Sequence, residues 1–281
     1  MRRQLTRKEF LATATKTAVA AASVGAVGAV GADLFAADDQ FRQSPIVAHA
    51  VGTAWPWPYA ALDPEDVRKR GHKNYYDGGC GYGAFNGLVS ALAETVGEPW
   101  TLVPTQMFYY GSGGGAGWGT LCGALNGAAA AISMAVDRTN ASAIVSELFG
   151  WYTATLFPSD ISNDYARQHV FLIDRNDKAL PQTLPGSPLC HASVTSWCTE
   201  TGFKATAPER AERCARLTGD TAARAAELLN AFKAGQFRAT FVPARAVTDC
   251  QGCHGSAIAN VQSGVKMDCQ GCHRESWAHL Y

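Results

Sequence analysis

The stretch GWGTLCGALNGAAAAISMAV, residues 117–136, is uncharged and consists mostly of Ala, Gly and other small or apolar residues. From residue 120 to residue 136 this composition predicts a buried helix, and its small residues allow neighbouring helices to approach closely. Working outward, the apolar spacing predicts further helices over residues 83–96, 141–157 and 208–235. The fold class predicted is therefore mainly α.

Three segments are predicted to differ from this helical pattern. Residues 40–77 are expected to be extended and turn-rich, because Pro56 and Pro58 prevent a continuous helix; only a short helix is expected from Pro64. Residues 170–174 and 237–242 alternate between apolar and polar side chains and are the strand candidates. A separate C-terminal segment is predicted to begin at about residue 247.

Composition excludes several classes of protein. The chain has 281 residues, of which 47% are hydrophobic and 17% charged, so it can bury a sizeable core and is not intrinsically disordered. Lys and Arg together number 24 and are balanced by 24 Asp and Glu. Without a basic surface to hold a phosphate backbone, no nucleic-acid partner is expected.

Residues 1–36 have the layout of an export signal. Arg2, Arg3, Arg7 and Lys8 precede an uncharged Ala/Val/Gly run over residues 17–32, followed by small residues. The run is shorter than the roughly 20 apolar residues of a spanning helix, so cleavage is expected rather than a stable membrane anchor. Residues 6–11 are similar to a twin-arginine export motif, with Lys8 in place of the second arginine. We expect the mature protein in the periplasm.

One five-residue pattern occurs twice near the C-terminus. Cys250-Gln251-Gly252-Cys253-His254 is repeated nineteen positions later as Cys269-Gln270-Gly271-Cys272-His273. In this pattern two thiols add to the vinyl groups of a haem, and the following imidazole binds the iron. The repeat therefore predicts two covalently bound c-type haems per chain, with His254 and His273 as proximal ligands.

A zinc site is the alternative for the same cysteines, because two Cys-x2-Cys pairs fifteen residues apart also occur in zinc ribbons. Such a site would make the segment a zinc-stabilised binding module. Four thiolates already complete the coordination of zinc, however, so a zinc site does not explain the histidine after each pair. An export signal also favours covalent haem attachment. Haem is therefore the preferred interpretation.

The sixth ligand of each haem iron has to come from elsewhere in the chain or from a partner. His49 and His72 are the candidate distal ligands, since the turn-rich segment that contains them could wrap over the haems; Met267 is the main methionine candidate. An iron that lacked a sixth ligand could instead bind a small molecule. The protein would then be a haem-based reductase of a small oxidised anion or a peroxide.

Five cysteines remain: Cys80, Cys122, Cys190, Cys198 and Cys214. Disulfides are the ordinary expectation in an exported protein, and Cys190 could pair locally with Cys198. Cys80 and Cys122, however, each follow glycines at a predicted helix start, where backbone N–H groups favour thiolates and can bond to cluster sulfides. These settings suit an iron–sulfur site. The glycine run of residues 111–119 follows no strand and precedes no Gly-Lys-Ser/Thr, so a nucleotide loop is not expected.

These motifs together resemble a known family. Cys80-Gly81-Tyr82-Gly83-Ala84-Phe85, the segment 117–127, then Cys190, Cys198 and Cys214 follow the order of the Cys, Gly-Cys-Ala, Cys, Cys redox family. With two C-terminal haem sites added, the chain resembles the split-Soret cytochromes c of sulfate-reducing bacteria. The resemblance implies a homodimer whose four haems gather at one end, bis-histidine ligation that involves the partner subunit, and an iron–sulfur cluster in the cysteine domain.

The resemblance also assigns roles along the chain. Residues 37–246 would form the helical iron–sulfur domain and residues 247–281 the dihaem-binding segment. The cluster, expected to be [2Fe–2S] with its type left open, would be bound by Cys122, Cys190, Cys198 and Cys214, with Cys80 as a possible fifth ligand. The expected function is periplasmic electron transfer between redox partner proteins, with an electron carrier preferred over an enzyme.

Overall fold

A long helix that bends sharply in its middle organises the fold in the computed structural model, which describes residues 54–254 and 265–268. This helix, α1, spans Pro64–Val96. The Asp63 side chain caps it by accepting a hydrogen bond of 2.9 Å from the Glu65 N–H. Gly79, at φ 81°, leaves the helical conformation and produces the bend.

The rest of the described chain adds six further helices and two short 3-10 helices. The 3-10 helices, Trp100–Leu102 and Thr105–Gly111, follow α1 directly. The remaining helices are α2 (Gly123–Ala135), α3 (Arg138–Ala154), α4 (Asp160–Arg167), α5 (Cys190–Thr201), α6 (Pro208–Lys233) and α7 (Arg245–His254). The mainly α prediction is confirmed, and three of the predicted long helices correspond to α2, α3 and α6.

Three local predictions are wrong. Residues 64–77 were expected to be mostly extended but form the first half of α1. Pro56 and Pro58 lie before the helix and do not interrupt it, and Pro64 is accommodated in its first turn. Residues 170–174 and 237–242 form no strand. Within the described residues the β-type pairings are two isolated bridges, Leu121 with Leu189 and Phe157 with Thr183.

The core lies where α1, α2 and α6 pack together. Gly71 of α1 faces Gly219 of α6 so closely that a Cβ on Gly71 would lie 3.0 Å from the Gly219 Cα. Apolar side chains fill the space beside this crossing, among them the fully buried Leu88, Leu125 and Leu229. Because the two backbones approach at glycines, residues on the facing sides of α1 and α6 come within contact distance of each other.

Buried ion pairs lock the same crossing. Arg68 of α1 and Asp220 of α6 are 5% and 1% exposed and form a salt bridge. Asp220 also accepts hydrogen bonds from the Ser159 N–H at 2.9 Å and from the Ser159 and Ser162 hydroxyls at 2.7 and 2.6 Å. One carboxylate therefore joins α1, α6 and the start of α4.

The described residues fall within one compact unit, Val51–Tyr281, and residues 1–50 lie outside them. The predicted export signal and His49 are thus outside the described part of the chain. No helix in the described ranges is both long and apolar enough to cross a membrane.

Candidate redox centre

Four of the five cysteines of the helical domain come from four different helical elements. Cys80 follows the bend of α1, Cys122 is the N-cap of α2, Cys190 is the first residue of α5, and Cys214 lies in α6. Three of these positions are the starts of helical segments, where unpaired N–H groups and the helix dipole favour negative charge.

A glycine loop and a short backbone pairing bring Cys122 and Cys190 together. The Cys122 N–H donates to the Pro188 carbonyl at 2.9 Å, and the Cys190 N–H donates to the Thr120 carbonyl at 2.7 Å. Gly114 has a φ of +71°, and a Cβ there would lie 2.7 Å from the Cys190 Cβ. The glycine run 111–119, whose role the sequence left open, is therefore a close-packed wall of the cysteine site.

Cys80 reaches the same site from the other side. A Cβ on Gly123 would lie 2.6 Å from the Cys80 Sγ, so this thiol packs directly on the residue after Cys122. The Cys80 thiol donates to the Gly111 carbonyl oxygen at 3.6 Å. Small residues at positions 111 and 123 are what give this thiol room beside Cys122.

Burial and mutual proximity shift the titration of these thiols. Burial raises the pKa of Cys190 to about 12, and the neighbouring Cys122 and Cys214 act in the same direction. Burial also raises the pKa of Cys80 and of Cys122, with Cys122, Cys214 and Cys190 contributing at Cys80. The four thiols are therefore near enough to interact electrostatically, and burial keeps Cys80, Cys122 and Cys190 protonated at neutral pH when no metal is bound.

Cys198 lies at the margin of this group. It is half-buried in α5, two turns after Cys190, and it interacts electrostatically with Arg210. We name the group formed by Cys80, Cys122, Cys190 and Cys214 the thiol cluster. Within the described residues, no three His, Cys, Asp or Glu side chains lie close enough to hold a single metal ion.

Arginines and tyrosines surround the thiol cluster, and no sequence motif indicated them. The Arg213 guanidinium is 1% exposed, and its Nη1 lies 4.0 Å from the Cys214 Sγ. Arg210 donates to the Tyr75 hydroxyl at 3.4 Å and interacts with Cys214. Tyr152 is fully buried and its hydroxyl faces Cys122 and Ser193. The thiols thus lie in a positively charged, water-poor environment.

The first haem attachment motif lies on a helix. Cys250, Cys253 and His254 are all in α7, and Cys250 and His254 are one turn apart on the same face. His254 is exposed and Cys250 is half-buried. Cys269, Cys272 and His273 lie outside the described residues.

A cleft adjoins this helix. Its volume is about 600 Å³, and it lies between α3, residues 186–188, α7 with the segment before it, and residues 265–268. Its lining is mainly apolar and includes Phe149, Phe241 and Val247, together with Met267. Val247 is one turn before Cys250, so the thiol and the cleft are on the same side of α7.

His72, predicted as a candidate distal ligand, lies in the helical core. Its ring is fully buried, stacks on Phe171 at 3.8 Å between centroids, and places Nε2 3.0 Å from the Glu212 Oε1. Glu212 in turn accepts from the Tyr76 hydroxyl and from Arg216 Nε, the latter at 2.7 Å. The ring is thus enclosed by the helical core, with Nε2 bonded to Glu212 and Nδ1 without a hydrogen-bond partner among the described residues.

Comparison with known proteins agrees with these sites. The family model described as "Putative redox-active protein (C_GCAxxG_C_C)" matches residues 84–228, about half of the chain. A split-Soret cytochrome c from Desulfovibrio desulfuricans is 40% identical over 208 residues, covering 73% of this chain and 72% of the relative.

A solved structure supports the same relationship. It concerns a novel iron centre in the split-Soret cytochrome c from Desulfovibrio desulfuricans; it superposes with a TM-score of 0.67 at 37% identity and covers 78% of this chain and 90% of that one. Its helical architecture agrees with the fold described above. The chain belongs to the split-Soret cytochrome c family.

Proposed function

We propose that this protein is a periplasmic electron-transfer cytochrome that carries two covalent haems and one iron–sulfur cluster per chain and acts as a homodimer. The observation that carries the proposal is the convergence of two buried and two half-buried thiols beside the Arg213 guanidinium, on a chain that also contains two Cys-x2-Cys-His motifs. Support from the relatives is their membership of the same cytochrome family.

The charge balance of the thiol cluster fits an iron–sulfur group. A cluster bound by thiolates is anionic, and each thiolate has to lose its proton when it binds. Arg213 supplies a buried positive charge, while the starts of α2 and α5 direct N–H groups toward Cys122 and Cys190. Cys122 is the N-cap of α2, so its sulfur lies beside the N–H groups of Ala124 and Leu125. The residues present therefore suit an anionic cluster better than they suit four neutral thiols.

The geometry bears on which four cysteines bind. Cys122, Cys190 and Cys214 belong both to the set expected from the sequence and to the thiol cluster. For the fourth position, Cys80 interacts electrostatically with all three of these thiols. The neighbour identified for Cys198 is Arg210, which also interacts with Cys214. We propose Cys80 as the fourth ligand and Cys198 as the alternative. A [2Fe–2S] cluster needs four protein ligands, two for each iron.

The haem segment offers a thioether helix and an apolar cleft. Cys250 and His254 on α7 can attach and ligate the first haem, and the cleft beside Val247 can bury part of an apolar ring. Cys269, Cys272 and His273 repeat the motif for the second haem. Since His72 is enclosed by its own core, His49 is the distal ligand that we propose to test first.

These groups supply one-electron chemistry when bound, and the chain's own residues govern where the electron can reside. Glycines at 111, 114 and 123 allow the backbone to close over the thiols and exclude water. Burial in a low dielectric strengthens the effect of each nearby charge on the site. The helical domain thus fixes the positions of the thiols and is not expected to supply protons to a reaction.

The test is the cofactor content of protein isolated from the periplasm of a host that attaches c-type haem. We expect two haems per chain, and two further irons with two acid-labile sulfides. Iron equal to haem would refute the cluster and favour disulfides. Zinc without haem would refute the cytochrome assignment itself. Size-exclusion chromatography with light scattering tests the homodimer.

Two matched variants locate the fourth ligand. We expect Cys80→Ser to lose the sulfide and the cluster's electron paramagnetic resonance signal, and Cys198→Ser to keep both. The opposite result would return the site to the set predicted from the sequence. Titration with carbon monoxide tests haem ligation, since six-coordinate irons should not bind it; rapid binding would support a haem-based reductase instead.

A further inference from the structure

Arg213 is a buried cation without a carboxylate partner among the described residues. Its side chain is 1% exposed, and its Nε has no hydrogen-bond partner within that part of the structure. The other two buried arginines have carboxylate partners. Arg68 pairs with Asp220, and Arg216, three residues after Arg213, pairs with Glu212. Burying an uncompensated charge is costly, so the position of Arg213 calls for an anion that the described residues do not provide.

The guanidinium is directed at the thiol cluster. Nη1 lies 4.0 Å from the Cys214 Sγ, and Nη2 donates to the Ser193 hydroxyl at 2.9 Å. Arg213 also lies close enough to Cys190 to interact with it electrostatically. Two sulfur ligands of the proposed cluster therefore lie within the electrostatic reach of Arg213.

Hydrogen bonds connect Arg213 to a tyrosine that faces a third sulfur. Ser193 and Tyr152 are both buried, and their hydroxyl oxygens are 3.1 Å apart. Ser193 accepts from the Arg213 guanidinium and from the Tyr152 hydroxyl, so the three side chains form one hydrogen-bonded unit. The Tyr152 hydroxyl faces Cys122 as well as Ser193.

We propose that Arg213, Ser193 and Tyr152 form a unit that raises the reduction potential of the cluster, an inference that rests on the proposed function. One-electron reduction adds one negative charge to an already anionic group and requires no proton. A fixed positive charge and hydrogen bonds to the sulfur ligands stabilise the reduced state more than the oxidised state. These residues do not bind the iron; they set how readily the site accepts an electron.

The test is a redox titration of the holoprotein in which dithionite supplies the electrons and the cluster is followed by electron paramagnetic resonance. At the wild-type midpoint, we expect Arg213→Met to lower the ratio of reduced to oxidised cluster about tenfold, which is about 59 mV for one electron. Arg213→Lys should restore most of this ratio. Ser193→Ala and Tyr152→Phe should each lower it about threefold.

Matched controls come from the same chain. Arg224→Met removes the same charge from α6 three turns further on, and Tyr59→Phe removes a hydroxyl that bonds to Asn230 instead. Both should leave the ratio unchanged, and the haem potentials should be unchanged in every variant. If Arg213→Met and both hydroxyl variants keep their sulfide and show the wild-type ratio, the proposal is overturned.

Two further outcomes separate this proposal from the proposed function. A wild-type protein without acid-labile sulfide would refute the cluster, and with it this inference. If Arg213→Met retains its helical circular dichroism but loses the sulfide, while Arg213→Lys and Arg224→Met keep it, charge compensation by Arg213 is supported. If Arg213→Lys also loses the sulfide, the role of Arg213 is structural and the proposal fails.

Discussion

Replacement of Asp220 by Ala should destabilise the helical domain more than any surface substitution. The Asp220 carboxylate is 1% exposed and accepts four hydrogen bonds, from Arg68, the Ser159 N–H and the hydroxyls of Ser159 and Ser162. Ala in its place leaves the Arg68 guanidinium, itself 5% exposed, with only the partly exposed Glu65 as counter-ion. The start of α4 loses its anchor as well.

The magnitude follows from the burial of the pair. Breaking a buried ion pair by removing one partner costs about 3–5 kcal/mol. For a domain of about 200 residues, each kcal/mol lowers Tm by about 2–4 °C, so Asp220→Ala should lower Tm by about 6–20 °C. Asp220→Asn keeps an acceptor for the serines but loses the charge, and should cost about 1.5–3 kcal/mol.

The assay is thermal unfolding of the holoprotein followed by circular dichroism at 222 nm. Asp164→Ala is the matched control, because Asp164 pairs with Arg167 on the exposed surface of α4 and should contribute less than about 1 kcal/mol. Since Arg68 and Asp220 lock the crossing that holds Cys80 and Cys214, Asp220→Ala should also lower the sulfide content. A Tm within about 3 °C of wild type, or equal to that of Asp164→Ala, would refute the argument.

Three other predictions test separate parts of the structure. Burial alone would raise the pKa of Glu212, but hydrogen bonds with His72, Tyr76 and Arg216 hold it below its usual range. The ionised Glu212 therefore stabilises the fold above about pH 4.3, and this contribution is lost as the pH falls. Glu212→Gln should make the free energy of unfolding less dependent on pH between about pH 3 and 7. The Glu147 carboxylate accepts from the Thr240 and Phe241 N–H groups, so Glu147→Gln should weaken the attachment of this segment to α3 by about 1 kcal/mol and speed its limited proteolysis about fivefold; an unchanged cleavage rate would contradict this. A Cβ on Gly123 would collide with the Gly111 carbonyl and the Cys80 thiol, so Gly123→Ala should lose acid-labile sulfide. Gly97→Ala strains a backbone at φ +85° but places its Cβ within 4 Å of nothing, and should keep the sulfide.

The sequence predicted the helices that are long and apolar, and missed those whose residues do not show a periodic pattern. Residues 120–136 and 208–235 were identified because small and apolar side chains recur at helical spacing. Helix α5 was missed, since its twelve residues mix polar and apolar side chains without a clear face. Residues 237–242 alternate like a strand, but the N–H groups of Thr240 and Phe241 bond to the Glu147 side chain instead of a second strand.

The sequence by itself determined the haem attachment motifs and the family resemblance. Two thiols separated by two residues, followed by an imidazole, make a local pattern that needs no tertiary contact. The family resemblance already implied that Cys122, Cys190 and Cys214 share one site, but how these thiols meet, and that Cys80 joins them, was decided only by the tertiary structure. The members of the thiol cluster lie between residues 80 and 214, and no spacing rule relates them; the Gly71–Gly219 crossing and the glycine loop bring them together. Arg213 is the clearest case: its charge follows from the sequence, but its burial beside sulfur, with no carboxylate partner in the described part of the chain, depends on how α6 packs.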